Sequence, residues 1–220
     1  MINKNDIKRI NNAFTLAEVL VTLAVIGVIS ALTIPALLQN TNEQELRTAW
    51  KKNYSELVQV TSQITHENGG SIKGLFPDSN SMANAYGAKM NYIRKCSTAN
   101  YSECWAASGE ARMLNGSIMG VSNLGSYLVL NNGSVLRITL YDTNCSEHIG
   151  NPSPDGMYRC GEIYIDVNGH KKPNVMGKDI YGGVITPDSF VPFGAKGFPT
   201  PDECSTSFHG LVCSTEYLYK

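Results

Sequence analysis

A single carboxylate interrupts an otherwise apolar run near the start of the chain. From Phe14 to Leu38 the sequence reads FTLAEVLVTLAVIGVISALTIPALL, 25 residues with Glu18 as the one charged side chain. A carboxylate at the centre of a membrane-spanning helix costs about 2.5–3.5 kcal/mol on insertion scales, and less near an interface, so Glu18 calls for a partner. Cleavage between Ala13 and Phe14 would create one. The new α-amino group at Phe14 is a cation with a reference pKa of about 7.7–8.0, and an extended neighbour or a laterally packed copy could present it to Glu18.

Six cysteines, all after residue 95, offer a second chemistry. They pair most economically in chain order, Cys96 with Cys104, Cys145 with Cys160 and Cys204 with Cys213, although six cysteines allow 15 connectivities. Cys204, His209 and Cys213 could instead ligate zinc, but the tight Cys-x-x-Cys element of common zinc sites is missing. Oxygen donors cluster in Asp166-Val-Asn168-Gly169 through Asp179, which matches half of a calcium loop. An EF-hand would need another acceptor near the fifth position and a bidentate glutamate at the twelfth, and Lys171 and Lys172 bring positive charge. Asn168-Gly169 and Pro173-Asn174 therefore read as turns beside a strand, with Asp166, Asn168 and Asp179 only weak metal candidates and no cofactor expected. His66, His148, His170 and His209 are scattered, and no Gly-x-Ser-x-Gly, phosphate-cradling glycine loop or His-Glu-x-x-His is present, so the chain does not read as an enzyme.

The elements that must position these residues begin with the apolar run. As a helix, 25 residues span roughly 37 Å, enough to cross a bilayer with some tilt. Lys4, Lys8 and Arg9 precede it, and Glu43 and Glu45 against Arg47 follow it. The positive-inside rule therefore puts residue 1 in the cytoplasm and everything after Leu38 outside, where cysteines oxidise. A cleavable secretory signal has a shorter apolar core free of carboxylates, and an ordinary anchor leaves Glu18 unexplained. Pro35 removes a backbone donor and crowds the carbonyl of residue 31, which predicts a kink or local loosening.

Leu46, Trp50, Tyr54, Leu57, Val60 and Ile64 recur at spacings of three and four, one apolar face of a continuing helix. Arg47, Lys51, Lys52, Ser55, Glu56, Gln59 and Gln63 form its solvated side. Asn68-Gly69-Gly70 stops it, so a single bent helix is predicted from Phe14 to Glu67. Beyond it, Met82–Tyr92 reads as a short helix. Ser126–Leu130, Val135–Tyr141, Glu162–Val167 and Ile180–Ile185 read as strands, the first two joined by Asn131-Asn132-Gly133-Ser134, whose Asn-Gly favours positive φ. Laid on the Leu46–Ile64 stripe, a small antiparallel sheet gives an α+β module with the helix as its spine. The divisions are 1–13, a basic leader; 14–38, a membrane helix; 39–67, an amphipathic spine; and 68–220, an outer domain with the disulfides.

Charge narrows the partners. The chain has 18 basic and 19 acidic residues, and without residues 1–13 it would have 15 and 18. Neither the total nor any basic aromatic stripe in the outer domain predicts nucleic-acid binding. The low charged fraction of 17% largely reflects the run that must avoid charge.

Ala13-Phe14-Thr15-Leu16-Ala17-Glu18-Val19-Leu20-Val21 resembles the class III leader junction of type IV prepilins and of type II secretion pseudopilins, whose usual form is Gly-Phe-Thr-Leu-hydrophobic-Glu. Ala13 stands where glycine is commoner, and the resemblance covers residues 8–40. It implies cleavage at Ala13–Phe14 by a prepilin peptidase, N-methylation of Phe14 and a subunit-docking role for Glu18. A proline matching Pro35 recurs in pilin helices, where the helix bends or melts on packing into a filament. The implied fold is pilin-like, with a long helix on a small antiparallel sheet. The implied partners are other pilin-like subunits in a helical filament, the processing enzyme, an inner-membrane assembly platform and lipid. The implied place is the inner membrane by a single pass, then a periplasmic or extracellular filament serving secretion, adhesion, motility or DNA uptake. Segments similar to Asp-x-Asn-Gly…Pro-Asn…Gly-x-Asp occur in a subset of pilin-like secretion proteins, which implies a structural loop. The alternative is a membrane-anchored outer binding protein or adhesin that never polymerises.

Overall fold

The computed structural model describes residues 14–107, 109–120, 125–149, 157–198 and 203–219. The leader read at 1–13, with Lys4, Lys8, Arg9 and the cleavage residue Ala13, lies outside them. The fold is α+β, a long N-terminal helix followed by shorter helices and an antiparallel sheet. It divides into two compact units at Asn42/Glu43.

The first unit is the N-terminal part of α1 (Leu16–Glu67), a helix that contains Pro35. Over Leu16–Pro35 it is long and apolar enough to cross a membrane, and none of that stretch is buried against the chain. A helix that is apolar all round requires an apolar medium or apolar partners.

The second unit is built on the rest of α1. The spacing of three and four brings Trp50, Leu57, Val60 and Ile64 into one buried core, with Leu46 and Tyr54 packed on its margin. Asn53, Thr61 and Thr65 share that buried face, and each is satisfied there. Asn53 donates to Ala49 O and Ser134 Oγ, Thr61 donates to Leu57 O and meets Tyr86 Oη, and Thr65 donates to Thr61 O. Arg47, read as solvated, is half-buried with its guanidinium 4.0 Å from the Tyr217 ring.

The second helix, α2 (Ser79–Met90), starts and ends earlier than Met82–Tyr92. Asp78 caps it by accepting from Ser81 N at 2.7 Å, and the backbone turns left-handed at Asn91 with φ 53°. Tyr92 therefore opens β1 (Tyr92–Cys96) instead of closing a helix. Then come β2 (Ser126–Leu130), β3 (Val135–Leu140), β4 (Glu147–Ile149), β5 (Met157–Arg159), β6 (Gly161–Asp166), β7 (Ile180–Ile185), β8 (Phe190–Pro192) and α3 (Cys213–Tyr219). Strands β1-β2-β3-β6-β7-β8 form one antiparallel sheet in that order, and β4 and β5 pair separately. The β2–β3 turn has only Gly133 at positive φ, 87°, and Gly133 N donates to Leu130 O at 3.0 Å. That is a turn closed by a glycine bulge, with Asn132 in an ordinary conformation.

From β2 to β7 the sheet is largely buried on both faces. Leu128, Leu130, Leu136, Ile138, Ile163, Ile165 and Tyr181 face the core of α1 and α2. The alternate residues Tyr127, Val135, Tyr164, Ile180 and Val184 join a second core with Trp105, Met176 and Phe193. Gly182 makes room for that layer, since a Cβ there would lie 2.7 Å from the Phe193 ring. The segment between Cys96 and Cys104 contains a 3-10 turn over Thr98–Glu103. The cysteines are bonded in chain order, Cys96–Cys104, Cys145–Cys160 and Cys204–Cys213. With Cys204 and Cys213 joined, neither is a zinc ligand.

Candidate functional site

The N-terminal helix end carries the residues singled out for docking and processing. Phe14 is 85% exposed and precedes the helix. Thr15 and Glu18 then close on each other. Glu18 Oε2 accepts from Thr15 N at 2.8 Å and from Thr15 Oγ1 at 2.9 Å, while Glu18 N donates to Thr15 Oγ1 at 3.2 Å. This reciprocal cap satisfies donors that a helix start otherwise leaves open. The sequence carried its signal, Thr-x-x-Glu, in plain view. No hydrogen bond reaches Glu18 Oε1 among the described residues, and the residue is exposed.

The threonine hydroxyls within the apolar stretch are satisfied inside the helix. Thr22 donates to Val19 O at 2.9 Å and Thr33 to Ile29 O at 2.9 Å. Polar groups paired within one helix are compatible with a surrounding that offers no hydrogen bonds. The surface presented is thus largely apolar, with the capped carboxylate one turn from Phe14 as its one charged group.

The second set of singled-out residues lies on the connection from β6 to β7. Asp166 ends β6 and Asp179 immediately precedes β7, and they are 2% and 0% exposed. Burial, reinforced by the charge of Asp179, pushes the Asp166 carboxyl up to about 9. Burial likewise raises Asp179, against the hydrogen bonds it accepts from Val175 N at 2.6 Å and Asn174 N at 2.7 Å. Asn168 is half-buried at the same place. Asn174 joins the group at 5% exposure, a residue that sequence reading assigned only to a turn. Among the described residues no three His, Cys, Asp or Glu side chains gather as a metal-holding group.

The histidines occupy separate elements. His66 is in the last turn of α1, His148 is on β4 against Tyr158 at 4.1 Å, His170 Nε2 lies 3.3 Å from Glu103 O, and His209 is exposed before α3.

No curated protein and no solved structure matches the chain. A family model described as the prokaryotic N-terminal methylation motif matches residues 8–34, which span the end of the basic leader from Lys8, Phe14, the Thr15–Glu18 cap and most of the apolar stretch. The chain therefore carries, at the head of a long apolar helix, the signature of type IV pilins and pseudopilins.

Proposed function

We propose that the protein is a filament subunit of the type IV pilin class, inserted as a precursor, cut between Ala13 and Phe14, methylated at Phe14 and polymerised through α1. The observation that carries this reading is the methylation motif at 8–34 on a helix whose apolar side chains are uncovered by the rest of the chain. An uncovered apolar helix needs lipid before assembly and neighbouring helices after it. Residues 14–38 would supply the membrane and filament-core segment, 39–67 the spine, and 68–220 the outer tile. Pro35 would let the helix bend or loosen as subunits pack.

The chemistry at the helix head supports a docking role for Glu18. Both Thr15 donors survive cleavage at Ala13–Phe14, so the cap persists in the mature chain. Oε1 of Glu18 then remains for the Phe14 amine of an adjacent subunit. A subunit out of register would leave a carboxylate in an apolar bundle with half its hydrogen-bonding capacity unmet. The pair thereby acts as a register check. The other partners would be the peptidase and methyltransferase, the inner-membrane assembly platform and lipid, with residue 1 in the cytoplasm and the outer domain across the membrane.

Mass spectrometry of the N-terminus of membrane-extracted protein tests this reading. A mature chain beginning at methylated Phe14 is expected. An intact leader would overturn it in favour of a non-polymerising anchored protein.

A further inference from the structure

Arg137, in the middle of β3, is 5% exposed, and no carboxylate pairs with it among the described residues. The less buried Arg159, by contrast, holds Glu147 and Glu162 at once. Strand register places Arg137 on the outer face of the sheet, between Tyr127 of β2 and Tyr164 of β6. Its guanidinium carbon lies 4.2 Å from the centre of the Tyr164 ring and 5.8 Å from that of Trp105. Nη1 donates to Gly120 O at 2.9 Å. The opposite edge of the guanidinium is idle. Nε is enclosed and meets no acceptor, while Nη2, likewise without one among the described residues, is not enclosed. Nε and Nη2 are the two prongs with which arginine grips a carboxylate through parallel hydrogen bonds. A buried charge without a counter-charge is costly, and two ring faces and one carbonyl return only part of what hydration supplied.

We propose that Arg137 anchors a site for a small carboxylate anion, received edge-on by Nε and Nη2 beside the Tyr164 and Trp105 rings. The fork and a carboxylate are both planar, and each carboxylate oxygen takes one of the idle donors. The neighbouring rings keep the surroundings apolar, which strengthens hydrogen bonds between charged partners. The chain does not supply the anion from the same stretch of sheet. Glu162, two residues along β6 from Tyr164, is spent on Tyr141 Oη at 3.1 Å and on Arg159. With Arg137 only 5% exposed, the occupant is a free ion of about the size of acetate and not the surface of another protein. The site needs only the folded outer domain, so it stands apart from the filament reading.

The competing account is that the rings and the Gly120 carbonyl alone hold the guanidinium. Titration with sodium acetate separates the two. The full chain in detergent, in sodium chloride at fixed ionic strength, is followed by calorimetry and by thermal unfolding. Wild type is expected to bind one acetate per chain with a dissociation constant on the order of 1 mM, and to melt at a higher temperature as acetate rises. Arg137→Lys keeps the charge but loses the fork, and is expected to bind about tenfold more weakly. Arg137→Met is expected to show no binding. If wild type gives neither heat nor a saturable rise in Tm up to about 50 mM acetate, the proposal fails. It fails equally if Arg137→Met binds as wild type does, because the ion then sits elsewhere. Should Arg137→Met not fold, Arg137→Lys carries the comparison, and undiminished affinity there rules out the fork. Phosphate binding as tightly as acetate would overturn the assignment to a planar carboxylate.

Discussion

Thr15 and Glu18 hold each other across the first turn of α1, with the Thr15 amide and hydroxyl both donating to Glu18 Oε2. The cap makes two roles of Glu18 separable. As an acceptor it completes the helix start, and as a charge it seeks a cation outside the chain. Glutamine keeps the first role and loses the second, whereas alanine loses both. Under the filament reading, Glu18→Gln and Glu18→Ala are both inserted and cleaved, and both enter filaments more than about tenfold less than wild type. Thr15→Ser, which keeps the donors, assembles normally. The ratio of subunit in sheared filaments to subunit in membranes measures this, and normal incorporation of Glu18→Gln would sink the charge role.

Trp50 ties the spine helix to the C-terminal helix. It is fully buried, its indole donates to Ser214 O at 2.8 Å, and its ring stacks on Tyr181 at 5.1 Å. Ser214 Oγ in turn accepts from Gly182 N, so one residue of α3 is bonded to both α1 and β7. Trp50→Phe keeps most of the apolar volume and loses the hydrogen bond, a cost of about 1–2 kcal/mol. Trp50→Ala also opens a cavity and costs about 3–5 kcal/mol. Urea unfolding of the two variants is expected to give midpoints in that order, and equal midpoints would mean that the indole is bystander packing.

Much of this arrangement was legible because it rests on local periodicity. The Leu46–Ile64 stripe follows from a helical spacing that burial reinforces, while Ser126–Leu130 and Ile180–Ile185 are short runs that burial covers almost continuously. What escaped depends on contacts distant in sequence. Alternation along β2 and β3 shows which residues share a face, but not that Trp105 and Phe193, from segments without periodicity, cover the other face. β1 is short and largely exposed, and α3 has only seven residues fastened by Trp50 and a disulfide. At the helix head the Thr-x-x-Glu spacing of a cap is present in the sequence, but the demand that Glu18 find a partner elsewhere drew the reading away from it. On the β6–β7 connection, Asn174 read as a turn residue because only the folded loop turns it toward Asp166.

The disulfides are expected to contribute unequally. Cys145 and Cys160 enclose the β4–β5 hairpin, are separated by 15 residues, and are each 1% exposed in the main core. By loop closure this bond is worth about 3 kcal/mol, against about 2.5 kcal/mol for Cys96–Cys104 with a separation of 8. Replacing Cys145 and Cys160 together with alanine should therefore lower stability more than replacing Cys96 and Cys104. Guanidinium unfolding under non-reducing conditions ranks them. The reverse order would mean that the short loop is held by packing energy that chain entropy does not describe.

Acid should loosen the outer domain through two aspartates. Asp78 accepts from Ser81 N at the start of α2, and Asp142 accepts from Ser146 N, Ser146 Oγ and Asn144 N. These hydrogen bonds hold both carboxyls below the usual carboxylate range. A depressed folded pKa means that the unfolded chain takes up the proton first as pH falls. The stabilisation is fully present above the ordinary value of about 3.9 and is lost progressively as pH drops through the lower folded value. Asp78→Asn and Asp142→Asn should each be less stable than wild type at neutral pH and should each lose less stability on acidification. Thermal unfolding between about pH 6 and pH 2 reads both effects. Curves that stay parallel to wild type across that window would show that these carboxylates cap nothing of consequence.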